Sequence, residues 1–288
     1  MTARILYVAV NYETAALCER FVAQFSNPGA RAWNASLVVV DNSSMPSQER
    51  LVEKAKRWPE DVQLLVAPAN LGYFGAVRYA LTQPSVKRLL GESDWMVVSN
   101  VDLLFDREQL ERSTARHTPA TTAVIAPRIL SLADGSEQNP YMRKRPTTLR
   151  IHAYRMIFRS YWALLAYSWG AQAWRSVRRR LGRSGGAPSG QQLIYAPHGS
   201  FMILSSSCFA RAEDFAFQPF LFGEEIFIAE AAARAGLAVV FDPAILVMHE
   251  DHAGMQSLPR REIQRFHLES AEWIARTYFS GVQRGVGK

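Results

Sequence analysis

Largely apolar runs alternate with amphipathic segments along the first hundred residues. Four of the runs are rich in branched side chains, and the run at 36–44 ends in polar residues, a pattern typical of a parallel strand buried on both faces. They lie at 4–10 (RILYVAV), 36–44 (SLVVVDNSS), 62–68 (VQLLVAP) and 94–102 (DWMVVSNVD). Three intervening segments, at 14–26, 47–57 and 70–83, have helical character. The fourfold alternation predicts an α/β fold with a doubly wound, mostly parallel sheet.

The second half of the chain continues this pattern around one interruption. Residues 141–190 differ in character and end in the flexible sequence GRSGGAPSG. Regular structure is predicted on either side of them, as a strand at 121–130, a strand and short helix at 198–212, and a helix, a strand, a proline turn and a last strand within 222–254. We therefore predict one domain over 1–258 that contains an insertion at 141–190, followed by an amphipathic C-terminal helix and tail at 259–288.

Composition and cysteine content are those of an ordinary globular protein. The 288 residues are 48% hydrophobic and 20% charged, and the two cysteines, Cys18 and Cys208, lack the spacing of a metal site. They fit a reducing cytoplasm. The first residues predict a strand and not a signal peptide, and no run of 18 uncharged apolar residues predicts a spanning helix.

The positive charge is concentrated in one segment. Between Tyr141 and Arg183 there are eleven Lys or Arg and no Asp or Glu, so the net charge of +7 leaves 7 − 11 = −4 for the remainder of the chain. Within 150–183 the arginines flank an aromatic, uncharged stretch at 160–174, which is too short to cross a bilayer. The pattern favours helices that lie on an anionic membrane surface. Packing against the core or a second subunit stays open; nucleic acid is disfavoured because apolar bulk dominates the centre.

Polar residues follow several of the predicted strands. Asn11, Asp41, Asn70 and Asp102 all stand at strand ends, and ligands of such sheets bind in the crevice at the carboxyl ends of the strands. A carboxylate at Asp102 can hold a hard divalent cation together with nucleotide phosphates. Asp41 can accept a hydrogen bond from a base or ribose, although each residue taken alone also fits an ordinary turn or helix cap.

Three further features carry candidate chemistry. The segment 70–75 (NLGYFG) can bring its backbone close to a ligand, but it is neither a Walker loop nor a dinucleotide fingerprint. Glu224 and Glu225 open a helix, where acidic residues are favourable, and adjacent acids raise each other's pKa as a general base near neutral pH requires. His249 ends a strand and is a candidate ligand of metal or phosphate.

Taken together, the order and spacing of these motifs resemble the inverting family 2 glycosyltransferases, which have the GT-A fold. The likeness is greatest to the rhamnosyltransferase-like branch of bacterial surface polysaccharide biosynthesis, including O-antigen. The motifs are VAVNYET, VVVDNSS, NLGYFGA, SNVD, HGSFMIL, FGEE and DPAILVMH, and they cover about residues 3–130 and 192–255. The resemblance implies a Rossmann-like central sheet flanked by helices, interrupted here by the basic aromatic insertion.

The resemblance also implies a role for each matching position. Glu225 would be the catalytic base and Glu224 would support it, while Asp102 would bind Mg²⁺ or Mn²⁺ with His249 near the metal or diphosphate. The nucleotide sugar would be bound by Asn11, Glu13, Asp41, Asn70, Gly72, Arg78, Asn100, Asp102, His198 and Gly199. Asn100 replaces the first Asp of the family's Asp-x-Asp motif and removes one negative charge, so weak binding of metal without nucleotide is expected.

The expected activity is inverting transfer of a sugar, rhamnose from dTDP-rhamnose by branch likeness, to a glycan or lipid-linked acceptor. The expected location is cytoplasmic, attached peripherally to the inner face of the cell membrane, with room for a homodimer. Two alternatives remain open at this point: a sugar nucleotidyltransferase, which usually carries a Lys-bearing N-terminal loop that is missing here, and a non-catalytic membrane-associated assembly subunit that retains the fold.

Overall fold

The computed structural model describes residues 3–25, 35–167, 169–170, 190–250 and 259–280. The strands are β1 Ile5–Asn11, β2 Ala35–Asp41, β3 Val62–Val66, β4 Trp95–Asn100, β5 Leu103–Phe105, β6 Thr122–Ser131, β7 Gln192–Leu193, β8 Phe201–Ser205 and β9 Ala238–His249. The α-helices are α1 Ala15–Ala23, α2 Met45–Ala55, α3 Tyr73–Thr82, α4 Pro84–Gly91, α5 Arg107–Thr114, α6 Thr148–Arg159, α7 Glu224–Arg234 and α8 Arg260–Tyr278, and a 3₁₀ helix spans Ala212–Phe215.

The nine described strands form a single sheet in the order β3-β2-β1-β4-β8-β6-β9-β5, with β7 also paired to β9. Strands β1 to β4 are parallel, β8 runs antiparallel to β4 and β6, and β9 runs parallel to β6. Reversal at β8 places its first residues at the edge where β4 and β9 end. The α/β fold predicted from the sequence is confirmed, and the carboxyl ends of strands distant in sequence meet at one edge.

The apolar strands are buried on both faces, as the pattern predicts. Val38 and Val40 of β2 face one apolar layer, which includes helix α3, and Leu37 and Val39 face the other, which includes α1. Burial on both faces explains why these strands are continuous apolar runs and not alternating ones. The edge of the sheet is therefore held rigidly by packed strands, and this rigidity fixes the positions of residues that follow them.

Two features of the second half differ from the elements predicted. Asp106 caps a helix, α5, by accepting from the backbone N–H of Gln109 at 3.0 Å, although this polar segment lacks an apolar periodicity that would predict one. Pro243 does not separate two strands; it lies inside β9, where the pairing register with β6 shifts after Pro127. A bulge absorbs the residue that cannot donate to the ladder.

The basic insertion contains helices, of which α6 lies against α8. Residues 148–159 form α6, residues 161–167 are also helical, and Ile151 is buried. Gln264 of α8 donates to the carbonyl oxygen of Phe158 at 2.9 Å, and Arg159 pairs with Glu272 at 3.3 Å. One face of α6 thus packs on the protein itself, which is one of the alternatives that the sequence leaves open for this segment. Residues 168 and 171–189 of the segment lie outside the described residues.

Among the helices that the structure describes, none combines the length and the apolar character needed to cross a bilayer. The division into 1–258, with its insertion, and 259–288 stays a prediction. Helix α8 packs closely on α6, which begins inside the insertion.

Candidate active site

Four chain segments meet at the carboxyl edge of the sheet. Strand β4 ends at Asn100, β9 ends at His249, and residues 198–200 lead into the reversed strand β8. The backbone N–H of Asn100 donates to the carbonyl oxygen of Ser200 at 3.0 Å, which ties two of these segments together. The start of α7 supplies Glu224 and completes the group. Topology alone therefore brings together polar residues from four separate parts of the sequence.

Asp102 and His249 form a buried pair at this edge. Asp102 Oδ1 lies 3.4 Å from His249 Nε2, and both side chains are almost fully buried. The other ring nitrogen, Nδ1, lies 2.8 Å from the amide oxygen of Gln138, which can only accept, so Nδ1 donates to it. A carboxylate oxygen and an imidazole nitrogen that face each other are well suited to bind one cation together.

The residues at this edge fit a divalent metal that is completed by its substrate. Within the described residues no group of three or more His, Cys, Asp or Glu side chains could hold an ion. Asp102 and His249 therefore offer two ligands, and an Mg²⁺ or Mn²⁺ ion needs six, so diphosphate oxygens and water would have to supply the others. Asn100, in place of an acid, is consistent with this small protein contribution.

Glu224 and Glu225 begin α7 after a strained turn. Phe222 has a φ of 70° and Gly223 a φ of 90°, both in the left-handed region that favours glycine. Ser270 of α8 donates to the carbonyl oxygen of Phe222 at 2.5 Å, and a Cβ at position 223 would meet Ser270 Oγ and Ile274 Cδ1. Helix α8 thus holds the turn that aims the two carboxylates into the site.

The two glutamates have different surroundings. Burial is the main cause that raises the pKa of Glu224 to about 8, and the charge of Glu225 adds to it. Hydrogen bonds from the backbone N–H groups of Glu224 and Phe222 act in the opposite direction and lower this pKa. Burial also raises the pKa of Glu225, but three backbone N–H groups, of Glu225, Gly199 and Gly223, oppose it. Glu225 is partly accessible, whereas Glu224 is buried. Of the two, Glu225 is the better placed to reach a substrate hydroxyl as a carboxylate.

Gly199 makes close approach of Glu225 possible. A Cβ at position 199 would lie 2.8 Å from Glu225 Oε1, closer than carbon and oxygen can approach. Beside it, the backbone N–H of His198 donates to Asn139 Oδ1 at 2.8 Å, and the His198 ring nitrogen Nδ1 lies 2.9 Å from Ser200 Oγ. The segment before β8 is therefore fixed on one side by Asn139 and open to Glu225 on the other.

Tyr73 links the metal-binding end to the glutamates. Its hydroxyl donates to the carbonyl oxygen of Gly199 at 3.0 Å. Burial, and then the charges of three surrounding carboxylates, raise the pKa of Tyr73 well above its ordinary value. These carboxylates are Glu224, Asp102 and Glu225. Tyr73 is thus hydrogen-bonded to the residue that lies against Glu225, and its phenol lies within the field of all three carboxylates.

The residues at the ends of β1 and β2 form a separate, internally bonded group. Asn11 Nδ2 donates to Asp41 Oδ1 at 2.8 Å, and the hydroxyl of Ser43 donates to the same oxygen at 2.6 Å. Glu13, at a φ of 56°, accepts at 2.7 Å from the backbone N–H of Ser44, the residue that caps α2. These side chains shape the strand ends, and their contacts with a nucleotide stay a prediction.

The glycine loop joins that group to the rest of the site. Asn42 Nδ2 donates to the carbonyl oxygen of Gly72 at 2.9 Å, and the Gly72 N–H donates to Asn70 Oδ1 at 3.1 Å. Gly72 has a φ of 72°, and a Cβ there would collide with the carbonyl oxygen of Phe220. Glycine is thus required for the loop to pass this backbone. Arg78 is exposed on α3, and its contact with a nucleotide stays a prediction.

Several residues of the site carry no signal that sequence reasoning used. Tyr73 lies inside the NLGYFG motif, so the sequence indicates where it stands but not that it contacts Gly199. Gln138, Asn139 and Tyr141 precede or begin the insertion, where the predicted pattern ends, and only the fold returns them to the edge of the sheet. Phe222 has a left-handed backbone that its residue type does not indicate.

This chain is similar to several known proteins. N-acetylglucosaminyl-diphospho-decaprenol L-rhamnosyltransferase of Mycobacterium tuberculosis is 26% identical over 283 residues, which cover 96% of this chain and 85% of the relative. A crystal structure of GalNAc-T7 with UDP, GalNAc and Mn²⁺ matches with a TM-score of 0.58 at 14% identity, over 90% of this chain and 45% of that one. No family model matches the chain.

A second solved structure shares the fold. S. aureus TarS 1-349 in complex with UDP-GlcNAc matches with a TM-score of 0.50 at 11% identity, over 89% of this chain and 61% of that one. This chain spans less than two thirds of either solved structure, and at such identities the likeness concerns the fold alone. The chain has the GT-A fold and is related along almost its whole length to a bacterial rhamnosyltransferase, which confirms the predicted resemblance to the rhamnosyltransferase-like family 2 glycosyltransferases.

Proposed function

We propose that this protein is an inverting glycosyltransferase that transfers a sugar from a nucleotide diphosphate to a hydroxyl of a lipid-linked acceptor. One observation carries the proposal: the segment Gly199-Ser200 joins the two ends of the site, because Ser200 accepts a hydrogen bond from the backbone of Asn100, two residues before Asp102, and Gly199 lies against Glu225 Oε1. A charge that can bind a metal diphosphate and a carboxylate that can accept a proton are the two groups that such a transfer needs close together.

Glu225 accepts the proton in this mechanism. The acceptor hydroxyl gives its proton to the Glu225 carboxylate as its oxygen forms a bond to the anomeric carbon. The bond from that carbon to the diphosphate oxygen breaks on the opposite face, and the electron pair leaves with the nucleotide diphosphate, so the configuration inverts. The backbone N–H of Gly199 holds the Glu225 carboxylate in place during the attack.

Asp102 and His249 would hold the divalent ion, which when bound neutralises charge on the departing diphosphate. Glu224, with a pKa of about 8, is protonated at neutral pH and keeps a second negative charge away from the diphosphate. Asn11, Glu13, Asp41, Asn70 and Gly72 would frame the nucleoside at the ends of β1 and β2.

The relative supports a choice of donor and acceptor. Its name describes an L-rhamnosyltransferase that acts on N-acetylglucosaminyl-diphospho-decaprenol, and the alignment covers 96% of this chain. We therefore propose dTDP-rhamnose as the donor and a glycosyl diphosphate on a polyisoprenoid as the acceptor. Such an acceptor lies in a membrane, and the basic, aromatic segment 150–183 would hold the protein at an anionic membrane surface.

Transfer with purified components tests the proposal. The wild-type protein is incubated with dTDP-rhamnose, Mg²⁺ or Mn²⁺ and N-acetylglucosaminyl diphosphate on a short isoprenoid, and products are separated by mass spectrometry. We expect a disaccharide diphosphate lipid. The Glu225→Gln variant should lose about 10²- to 10⁴-fold in kcat, the usual contribution of a general base, with almost unchanged dTDP binding. Equal loss of dTDP binding and transfer would assign Glu225 a structural role.

A further inference from the structure

The aromatic side chains of the site are arranged in a line that leads away from the metal-binding pair. The ring of His249, which faces Asp102, lies 6.0 Å from the ring of His198. On its other side, His198 meets the ring of Tyr141 edge to face, with centroids 5.6 Å apart and an angle of 85°. The donor diphosphate is expected at the Asp102 end, so Tyr141 lies on the side from which an acceptor would approach.

The backbone of Tyr141 is held in place although the residue is partly exposed. Its N–H donates to Asn139 Oδ1 at 3.2 Å, and the same oxygen accepts from the backbone N–H of His198. Asn139 is buried and anchored by donating from Nδ2 to the carbonyl oxygen of Pro127 at 2.9 Å. Tyr141 as a whole remains 44% exposed. A fixed aromatic residue that is partly open to solvent at this edge of the sheet is a surface that a ligand can cover.

Tyr141 and Glu225 flank the same short segment, because the Tyr141 ring meets His198 and the next residue, Gly199, lies against Glu225 Oε1. The charge of Glu225 is also the largest cause that raises the pKa of the Tyr141 phenol. A hydroxyl that gives its proton to Glu225 must lie at that carboxylate. The sugar ring that bears this hydroxyl is then close to His198 and Tyr141.

Helix α6 carries further aromatic rings and an arginine that contacts one of them. Tyr154 stacks on Phe158 with centroids 5.8 Å apart at 15°, and Tyr167 meets Tyr154 edge to face at 6.1 Å. The guanidinium of Arg150 donates from Nε to the Tyr154 hydroxyl at 2.9 Å and lies 5.4 Å from the centre of that ring. Its terminal nitrogens remain available, because Arg150 is exposed.

We propose that the acceptor sugar stacks on Tyr141, and that Arg150, held in place by Tyr154, binds the diphosphate that carries this sugar. The inference rests on the proposed function and adds to it the residues that select the acceptor. A pyranose has an apolar face of C–H groups that packs on an aromatic ring, and a guanidinium pairs with phosphate oxygens through two parallel hydrogen bonds. The basic insertion thus supplies acceptor contacts as well as charge.

The first experiment separates the aromatic ring from its hydroxyl. Tyr141→Leu removes the ring at similar bulk, whereas Tyr141→Phe keeps it. We expect Tyr141→Leu to raise KM for N-acetylglucosaminyl diphosphate on a short isoprenoid about tenfold, with a much smaller change in KM for the donor. Tyr141→Phe should stay within about twofold of the wild type. Equal loss in both variants would assign the effect to the hydroxyl, and no loss in either would remove Tyr141 from the acceptor subsite.

The second experiment tests the diphosphate contact with two variants of one helix. Arg150→Gln and Arg159→Gln remove the same charge from α6, but Arg159 is paired with Glu272 at 3.3 Å. In detergent-free assays without vesicles, Arg150→Gln should raise KM about tenfold for the diphosphate acceptor and little for octyl N-acetylglucosaminide, which lacks phosphate. Arg159→Gln should change neither by more than about twofold.

The outcomes distinguish failure of this inference from failure of the proposed function. If the wild-type protein transfers no sugar from any nucleotide donor to the diphosphate acceptor, the proposed function is wrong and the subsite falls with it. If the wild type is active but Arg150→Gln and Arg159→Gln raise KM equally for both acceptors, α6 acts by general charge alone. In that case the assignment of Arg150 to the acceptor diphosphate is wrong, although the transferase activity stands.

Discussion

Two neighbouring glutamates at the start of α7 are chemically distinct. Glu224 is buried, and its pKa is raised to about 8. Glu225 is partly accessible and accepts hydrogen bonds from three backbone N–H groups. Interacting carboxyls lose their protons in two steps that belong to the pair. The first proton comes off where the charge is better solvated, which is Glu225. We therefore expect Glu225, the more accessible of the two, to carry the charge of the pair at neutral pH.

This assignment predicts different outcomes for two isosteric variants. Glu224→Gln resembles the protonated form of Glu224, so kcat at pH 7 should fall less than about tenfold, whereas Glu225→Gln removes the base and should cost about 10²- to 10⁴-fold. In the wild type, ionisation of Glu224 adds a second charge as pH rises through about 8. Any step of the kcat profile near that pH should disappear in Glu224→Gln. If Glu224→Gln is as inactive at pH 7 as Glu225→Gln, the assignment of the base to Glu225 alone is contradicted.

Gly199 is a second place where one atom decides the geometry. Because a Cβ would lie 2.8 Å from Glu225 Oε1, Gly199→Ala should displace the carboxylate and lower kcat about 10- to 100-fold. Dissociation of dTDP should change little, since the nucleoside is expected at the ends of β1 and β2. Gly91→Ala is the matched control, because a Cβ there meets no atom within 4 Å. Unchanged kcat in Gly199→Ala would show that Glu225 need not approach this backbone.

At the scale of elements, α8 supports the turn that aims the glutamates. His267 of α8 stacks on Phe222 with ring centroids 3.7 Å apart at 14°, and its other face meets Phe158 of α6 at 4.9 Å. Phe222 has the left-handed backbone that costs on the order of 1–3 kcal/mol in a residue other than glycine. The stack and the hydrogen bond from Ser270 offset this strain, so the turn depends on a helix far away in sequence.

The stack predicts a pH dependence of stability. Burial lowers the pKa of His267 to about 4, so between pH 6.5 and pH 4 the unfolded chain binds a proton that the folded protein does not. The neutral imidazole therefore contributes its full stability above pH 6.5 and loses it as pH falls towards 4, by at most about 3 kcal/mol. His267→Phe keeps the stacked ring without the titration. Its unfolding free energy, measured in urea, should fall less than that of the wild type over this range; parallel curves would contradict the prediction.

The same elements show what a sequence can and cannot predict. Strands such as β2 are continuous apolar runs that end in a polar residue, and burial on both faces forces that pattern, so fold class and strand ends were predictable. The reversal of β8, which returns His198 and Gly199 to the site, depends on pairing between distant segments. The left-handed Phe222 depends on packing by α8. Both are set by tertiary contacts that local pattern does not contain.

The candidate site residues also show what the sequence predicts and what only the fold determines. Asp102, His249, Glu224 and Glu225 are predicted from strand and helix ends; the structure pairs Asp102 with His249 and places Glu225 against Gly199 at the same edge of the sheet. Asn11 and Asp41 were also placed correctly at strand ends, yet their side chains bond each other. A motif position identifies where a side chain stands, whereas its hydrogen-bond partners depend on what the fold places opposite.

At the scale of the whole molecule, charge and apolar exposure are concentrated in the same segment. The eleven basic residues between 141 and 183 stand against a net charge of −4 elsewhere. Of the described residues there, Met156 is 62% exposed and Trp162 is 77% exposed. One face of α6 packs on α8, so the other face is left with apolar side chains and arginines. That combination is characteristic of a helix that lies in a membrane interface.

Membrane attachment therefore predicts a position-specific effect of exposed apolar residues. Met156→Ser with Trp162→Ser should lower binding to vesicles containing anionic lipid at least about tenfold in flotation, because both side chains lose burial in the interface. Met45→Ser is the control, since Met45 of α2 is 66% exposed but lies outside the basic segment. Raising salt should weaken binding of the wild type, as attraction between arginines and anionic headgroups is screened. Equal binding by all variants, or binding indifferent to anionic lipid, would instead indicate that the exposed face meets a second protein subunit, because neither apolar insertion nor surface charge would then hold the molecule to the bilayer.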